Sequence, residues 1–450
     1  MYFSFYSFGC KLNQLEGEAI IDSFTNNGFD FLPWKNYSGS SLLIINTCTV
    51  TSMAEQKARR LIRKALRDEP DAAIVITGCY AQLDSDNIRG MDERLFVIPQ
   101  DKKDRLLDLG SFLKESRNPE ELHNRIELFM VNINKSESET NALFRYRPEK
   151  FTLHTRGFIK IQDGCDNSCA YCRVPLARGG SKSKTKDDIL QELRSLENRS
   201  IPEAVITGVN ISQYNDRGIK LPELLDSLIT GTKNILLRLS SIEPEALDDI
   251  FFSILRNDRI LPHFHLSVQS GSSTVLKKMH RIYTGETIKN AVNKLRELKE
   301  NPFIACDIIA GFPGESREDF EESYELCREL KFAWIHAFPF SPRPGTAAYN
   351  FPDKVKQSEI TARVKKLGLL AKEGRLNYIK SWEGRVQGAV IEKAGKKLQK
   401  NYLSALSFNY LKLLVSLDEN DQKTYKEGSL IKCRIVKTHN EFDALAVIIE

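Results

Sequence analysis

The stretch GFIKIQDGCDNSCAYCRVP, residues 157–175, decides how the whole chain is interpreted. It begins with an apolar run that predicts a strand, and three cysteines follow in a C-x₃-C-x₂-C spacing: Cys165, Cys169 and Cys172. Active sites of parallel barrels lie where strands end and loops begin, which is where these thiols fall. Three thiolates on one loop leave one iron of a 4Fe-4S cluster without a protein sulfur, free to hold a substrate or cofactor.

A structural zinc site is the alternative for the same three cysteines. Zinc takes four protein ligands, in paired spacings, in sites of that kind. No fourth Cys or His lies nearby in the sequence. The spacing therefore favours the iron-sulfur interpretation.

Strand and helix patterns alternate from Thr155 onward, which favours a parallel barrel or part of one. A helix capped by Thr185 is expected between the first two predicted strands, and a long helix from Gln357 to about Lys380 is expected to close the domain. The predicted strands are Phe158–Gln162, Ala204–Thr207, Ile235–Ser240, His263–Gln269, Phe303–Ala310 and Trp334–Phe340.

The N-terminal segment has a similar α/β pattern, with a basic helix from Ser52 to about Arg67 that a capping box of Ser52 and Glu55 would open. Strands are predicted at Tyr2–Phe8, Ser41–Thr47 and Ala72–Thr77, and each is followed by one of three cysteines: Cys10, Cys48 and Cys79. If the strands are parallel neighbours, these thiols share one crevice and could hold a second cluster. The alternative is that they are buried small residues, as we expect for Cys306, Cys327 and Cys433.

These patterns predict a chain of α/β class with three domains. A polar stretch from Asn132 to Lys150 predicts a linker, so the first parallel-sheet domain covers residues 1–145. A partial (β/α)6 barrel covers 146–380. Short β-rich runs after it, Arg385–Ile391, Leu411–Ser416 and Leu430–Val436, predict a small β-barrel over 381–450.

The composition is that of an ordinary globular protein, with 41% apolar and 28% charged residues among 450. No window holds the ~20 consecutive apolar residues of a membrane span. The N-terminus lacks the basic start and long apolar stretch of a signal peptide. We therefore expect a cytoplasmic protein that has no membrane partner and whose cysteines do not form disulfides. Nothing in the sequence fixes its oligomeric state.

The cysteine motif, with Tyr171 before its last cysteine, resembles the signature of the radical S-adenosylmethionine superfamily. That resemblance implies a 4Fe-4S cluster whose open iron binds S-adenosylmethionine, an electron donor that reduces the cluster, and cleavage to a 5′-deoxyadenosyl radical. Other barrel segments match the family at the ends of predicted strands, although loop glycines and strand-end hydroxyls are ordinary in isolation. The implied cofactor contacts are Tyr171, Gly208, Asn210, Arg238, Ser240, Glu243, Gln269 and Gly311.

The segments around Cys10, Cys48 and Cys79 are similar to the N-terminal domain of the methylthiotransferases. These segments are FGCKLNQLEGE, INTCTVTSMAEQKARR and TGCYAQ. The resemblance implies a second 4Fe-4S cluster on those cysteines, which carries the sulfur to be methylated and transferred. FGCKLNQ and NTCTVT most resemble the branch called MtaB type, which converts N6-threonylcarbamoyladenosine-37 of tRNA to its 2-methylthio form. Branches that act on isopentenyladenosine-37 or on a ribosomal-protein aspartate remain alternatives, as does a non-catalytic iron-sulfur protein that binds RNA or senses redox state.

A tRNA anticodon stem-loop is the partner that this resemblance implies. The C-terminal segment occupies the position of a TRAM domain but matches it poorly, with 11 Lys and Arg against 9 Asp and Glu from Ser381 to Glu450. Basic clusters elsewhere are equally compatible with solvated surfaces. The candidate RNA contacts are Arg59, Arg63, Lys182, Lys184, Lys396 and Lys397.

Overall fold

The computed structural model describes residues 1–116, 118–135, 142–393, 402–417, 425–440 and 443–449. Its first part is a five-stranded parallel sheet in the order Asp30–Pro33, Tyr2–Ser7, Leu42–Thr47, Ala73–Gly78 and Leu95–Pro99. The strands Leu42–Thr47 and Ala73–Gly78 lie inside the sheet and are buried throughout, because helices pack on both faces. The helices of this part are Lys11–Asn26, Ser52–Asp68, Cys79–Leu83, Ser85–Arg89, Leu106–Leu113 and Pro119–Lys135.

Two local predictions for this part are wrong. The cap of the basic helix is Thr51, not Ser52: its hydroxyl accepts the Ala54 amide at 3.1 Å. The predicted linker begins too early, because the helix Pro119–Lys135 continues through its first four residues. Residues 136–141 of that linker lie outside the described residues.

Six parallel strands form the central part. Gly157–Lys160, Glu203–Thr207 and Leu236–Leu239 make one sheet, and His263–Gln269, Phe303–Ala310 and Trp334–Pro339 make a second. Parallel bridges from Leu237 to Ile260 and from Ile242 to Leu266 join the two sheets. The predicted partial (β/α)6 barrel is therefore confirmed. Its helices are Val174–Arg178, Lys186–Asn198, Leu221–Thr230, Asp249–Leu255, Ser273–Lys278, Gly285–Leu298, Arg317–Glu329 and Gln357–Lys380.

The C-terminal part is a closed five-stranded barrel in the order Val386–Ile391, Tyr402–Ser407, Lys412–Ser416, Asp443–Ile448 and Leu430–Thr438. Its second and fourth strands in that order were not predicted. The barrel shares one apolar core with the end of the closing helix, through Tyr378 and Trp382, and with Phe303 at the start of a central strand. No helix among the described residues has both the length and the apolar character that crossing a membrane requires.

Candidate iron-sulfur site

The first cysteine trio lies on the loop that follows the strand Gly157–Lys160. The Cys165 amide donates to the carbonyl of Gly179 at 3.1 Å, and the Cys172 amide donates to the carbonyl of Cys169 at 3.1 Å. These bonds fold the loop so that the three thiols converge. Burial raises the pKa of the Cys172 thiol to about 12, so that thiol keeps its proton until a metal displaces it.

An arginine that the sequence did not single out organises the polar groups beside this trio. Arg281 donates to Glu243 Oε2 at 2.6 Å and to the Tyr171 hydroxyl at 2.9 Å. Asn210 donates to Glu243 Oε1 at 3.4 Å and also hydrogen-bonds Cys165. The structure thus brings three predicted cofactor contacts together around Arg281. Arg281 stands in the run HRIYT, which carries no motif that would have identified it.

The other predicted cofactor contacts lie at strand ends, and two of them also have packing reasons. A Cβ on Gly208 would lie 2.8 Å from Gln162 Oε1, and one on Gly311 would lie 2.3 Å from Ile360. Ser240 is buried after its strand. Gln269 is buried with φ of 62°, a conformation that non-glycine residues adopt rarely and that often marks a functional site.

Arg238 has a different place from the one predicted. Its guanidinium donates to both Glu203 carboxylate oxygens, at 2.6 and 3.0 Å, and to the carbonyls of Ser407 and Phe408. The arginine therefore ties the central barrel to the C-terminal barrel, and its hydrogen-bonding groups are used there rather than for a cofactor.

The three cysteines of the second trio come from three different loops. Cys10, Cys48 and Cys79 follow three neighbouring strands of the N-terminal sheet, whose carboxyl ends meet at one edge. The glycines before Cys10 and Cys79 have φ of 94° and 97°, and a Cβ on either would collide with the Thr47–Cys48 segment. Glycine is thus required for the close approach of the loops. Burial, assisted by Cys10, raises the pKa of Cys48 to about 12.

A buried charge network lies beside the second trio. Arg178 donates to Cys79 Sγ at 3.3 Å and to both Asp163 oxygens at 3.0 and 2.9 Å. Glu16 binds Lys103 at 2.5 Å and Lys160 at 3.0 Å. Burial works against ionisation of Glu16, but Arg178 and the two lysines hold its pKa well below the usual range. Three cations face two carboxylates, so the network has one positive charge in excess, which suits thiolates bound to iron.

The spacing of the sulfur atoms separates a cluster from a single metal ion. Within the described part of the chain, neither trio has all three sulfurs within 4.8 Å of one another. Around one zinc ion, with Zn–S bonds of about 2.3 Å, thiolates would lie about 3.8 Å apart. This spacing does not fit a single zinc ion, and the all-thiol donor set fits an iron-sulfur cluster at each trio.

Residues beside the two trios are in contact where the N-terminal sheet meets the central barrel. Arg173, which follows Cys172, donates to Thr49 at 3.4 Å and to Glu55 at 3.2 Å. Thr49 in turn follows Cys48, and Arg343 donates to it at 2.9 Å and also binds Glu55. The Glu55 carboxylate that was predicted to cap a helix therefore holds two arginines at this junction instead.

The predicted RNA contacts divide by exposure. Arg63 and Lys182 are exposed, and Arg59 is half-buried and donates to the Tyr80 hydroxyl at 3.1 Å. Lys184 is buried against Glu192, so it is not available to RNA. Lys396 and Lys397 lie outside the described residues. Cys306, Cys327 and Cys433 are buried among apolar side chains, as expected.

Comparison with known proteins agrees with this geometry. A model of the Radical SAM superfamily matches residues 159–327, and one described as "Uncharacterized protein family UPF0004" matches residues 2–98. In overall fold the chain is similar to the radical S-adenosylmethionine methyltransferase TsrM of Kitasatospora setae, with a TM-score of 0.51, 14% identity, and coverage of 77% of this chain and 76% of that one. The protein is thus a radical S-adenosylmethionine enzyme.

Two curated relatives define the family more closely. The threonylcarbamoyladenosine tRNA methylthiotransferase MtaB of Treponema pallidum is 38% identical, over 88% of this chain and 92% of that protein. MtaB of Bacillus subtilis is 32% identical, over 99% and 96%. The chain belongs to this family of MtaB-type tRNA methylthiotransferases. Because its relatives are enzymes, the non-catalytic alternative is set aside.

Proposed function

We propose that the protein adds a methylthio group to C2 of N6-threonylcarbamoyladenosine-37 in tRNA. S-adenosylmethionine serves twice, as the methyl donor and as the radical source. Two 4Fe-4S clusters are the cofactors, one on each cysteine trio, and a reducing electron donor is the further partner. The substrate is the anticodon stem-loop of tRNA. The chain is divided into an N-terminal sheet domain of residues 1–145, a central barrel domain of residues 146–380 and a C-terminal barrel domain of residues 381–450.

One observation carries this proposal: the residues that follow the two trios are in direct contact. Arg173 and Thr49 are the next residues after Cys172 and Cys48, and they are hydrogen-bonded to each other at 3.4 Å. A radical formed beside the first trio and a sulfur held at the second trio would therefore meet the same nucleobase. Bound clusters of this kind supply an electron to S-adenosylmethionine and an external site for sulfur.

The protein's own residues hold the reactants in this proposal. Asn210, Glu243 and Tyr171 are oriented by the buried Arg281, and we assign them the polar groups of S-adenosylmethionine. Ser240, Gln269, Gly208 and Gly311 line the same strand ends. The Arg178 network keeps a positive charge beside Cys79, where a sulfur-bearing cluster would be anionic. Exclusion of water from the site would protect the radical from side reactions.

Nucleoside mass spectrometry of tRNA tests the proposal. A strain without the gene should lack 2-methylthio-N6-threonylcarbamoyladenosine and accumulate its unmethylthiolated precursor. The wild-type gene should restore the product, whereas a gene encoding Cys165→Ala should not. Loss of a methylthiolated isopentenyladenosine, or of a methylthiolated ribosomal-protein aspartate, would assign the enzyme to one of the alternative branches instead.

A further inference from the structure

One side of the helix Ser52–Asp68 is exposed and strongly basic. Its opposite side carries Ala58, Ile62 and Ala65, which are buried against the N-terminal sheet. We call the exposed side the basic face; its residues are Met53, Gln56, Lys57, Arg60, Arg63, Lys64 and Arg67. Five cations stand here against one carboxylate, Asp68 at the end of the helix, an excess of four, whereas the entire chain has a net charge of only +5.

Most of these cations are not neutralised by the protein itself. Lys64 and Arg67 share the carboxylate of Asp68, at 2.7 and 3.2 Å. Cations three or four residues apart on a helix are neighbours and repel one another, and a polyanion would relieve that repulsion. Three members of the basic face have no ion-pair partner among the described residues: Lys57, Arg60 and Arg63.

The helix begins beside the two cysteine trios and runs away from them. The Ser52 amide, four residues after Cys48, donates to the Ser341 hydroxyl of the central barrel at 3.1 Å. The helix then crosses from the carboxyl end of the strand Leu42–Thr47 to the start of its parallel neighbour Ala73–Gly78. It therefore leaves the sheet edge that holds the second trio. The basic face extends along it for about 21 Å, at about 1.5 Å per residue.

The chemistry of the exposed residues changes along this direction. At the end nearest the trios stand two exposed apolar side chains, Val50 at 61% and Met53 at 56%. The cations begin at Lys57 and continue to the far end. An RNA hairpin whose target base lies at the trios presents its unstacked loop bases first and the phosphates of its paired stem farther out. Apolar groups suit the bases, and cations suit the phosphates.

We infer that the basic face binds backbone phosphates of the tRNA anticodon stem, with its apolar end toward the anticodon loop. The inference rests on the proposed function, which places the target base at the trios. Lys57, Arg60 and Arg63 each neutralise one phosphate. A continuous row of negative charge belongs to a nucleic-acid backbone, and it matches a row of unpaired cations along one helix. Phosphate contacts position the stem and carry no sequence information, so the face takes no part in the choice of base.

Binding of a synthetic anticodon stem-loop at several salt concentrations tests the inference. The helix variant, Lys57→Gln/Arg60→Gln/Arg63→Gln, should weaken binding by about 10- to 100-fold and lower the slope of log Kd against log salt concentration by about three. Binding of an oligonucleotide of the loop alone should change by less than about threefold, because that RNA lacks the stem phosphates. In turnover the helix variant should raise KM and leave kcat unchanged, since it removes binding that is equal in the ground and transition states.

A control variant removes the same charge from another surface. Lys233→Gln/Arg256→Gln/Lys365→Gln changes three exposed cations that have no ion-pair partner among the described residues. Lys233 and Arg256 follow helices at the end of the central barrel opposite the first trio. The control should lower the slope by less than about one. Both variants should keep the wild-type iron content and unfolding midpoint. If the control lowers the slope as much as the helix variant, or if the helix variant leaves it unchanged, the inference is wrong.

Met53→Ser tests the orientation of the RNA. It removes the exposed apolar side chain at the end of the helix nearest the trios, while every cation stays in place. Affinity for the loop oligonucleotide should fall about threefold, and the salt dependence of stem-loop binding should stay the same. An unchanged affinity for the loop would contradict the orientation.

Turnover of the wild-type enzyme separates this inference from the proposed function. If the wild type methylthiolates an isopentenyladenosine stem-loop instead, the proposed substrate is wrong, yet the helix variant should still lose affinity for that RNA, since phosphate contacts do not depend on the modified base. If the wild type acts on the threonylcarbamoyl stem-loop while the helix variant keeps its salt dependence, the proposed function stands and the basic face is misassigned. A helix variant that keeps RNA affinity but loses turnover on a ribosomal protein would assign the face to a protein partner, against the inference.

Discussion

The two cysteine trios differ in how they are assembled. Cys165, Cys169 and Cys172 lie on one loop, and their convergence needs only local hydrogen bonds. Cys10, Cys48 and Cys79 come from three loops and converge only when three strands have paired in order. The first trio is therefore a local motif, whereas metal affinity at the second trio is coupled to the folding of a whole sheet.

Removing one cysteine from each trio is expected to have the largest effect. Cys165→Ala should form no 5′-deoxyadenosine and no methylthio product. Cys48→Ala should still form 5′-deoxyadenosine but transfer no methylthio group. Each variant should hold about four irons, against about eight in the wild type. Product from either variant, or about four irons in the wild type, would contradict the assignment of two clusters.

Arg178 tests whether the second trio depends on its buried charges. Arg178→Met leaves Cys79 without its guanidinium and Asp163 with Lys160 as its remaining cation, and should lower the free energy of unfolding by about 1–3 kcal/mol. Iron should be lost from the second trio while 5′-deoxyadenosine formation persists. Chemical denaturation and iron analysis measure both effects. Arg317→Met, at an exposed arginine, is the control; equal behaviour of the two variants would refute the role of the network.

Glu55 tests whether the two trios need a fixed separation. Glu55→Gln weakens the contacts to Arg173 and Arg343 at the junction, but leaves all six cysteines in place. The yield of methylthio product per 5′-deoxyadenosine should fall about tenfold, because weakening the two charge-assisted contacts loosens the junction. Glu321→Gln, which removes an exposed partner of Lys366, should leave that ratio unchanged. An unchanged ratio in Glu55→Gln would show that the junction tolerates movement.

Surface cations are expected to have the smallest effect. Arg63→Ala and Lys182→Ala should each weaken tRNA binding by about twofold to fivefold. Each should also lower the slope of log Kd against log salt concentration by about one, as expected for the loss of one phosphate contact. Lys184→Ala should instead lower stability by about 1–3 kcal/mol, because it removes the partner of buried Glu192. Filter binding at several salt concentrations and thermal unfolding distinguish the two classes. A change in the salt dependence for Lys184→Ala would restore it as an RNA contact.

The contrast between the trios also explains what the sequence could reveal. Most central strands were predicted to within two residues, because their apolar runs and the cysteine spacing are local signals. Arg281 and Arg178 were not identified, since their roles depend on partners that lie far away along the chain. The assignment of Lys184 to RNA was wrong for the same reason: its burial depends on tertiary packing. The cap at Thr51 was missed because Ser52 offered an equally plausible hydroxyl.

The contacts of Arg238 give the C-terminal barrel a second consequence. Because this arginine bonds Glu203 on one side and two carbonyls of the C-terminal barrel on the other, a buried ion pair joins the two barrels. Detaching the C-terminal barrel would leave guanidinium donors of Arg238 unpaired and would expose the apolar core that the two barrels share. Loss of the C-terminal barrel should therefore destabilise the central barrel as well.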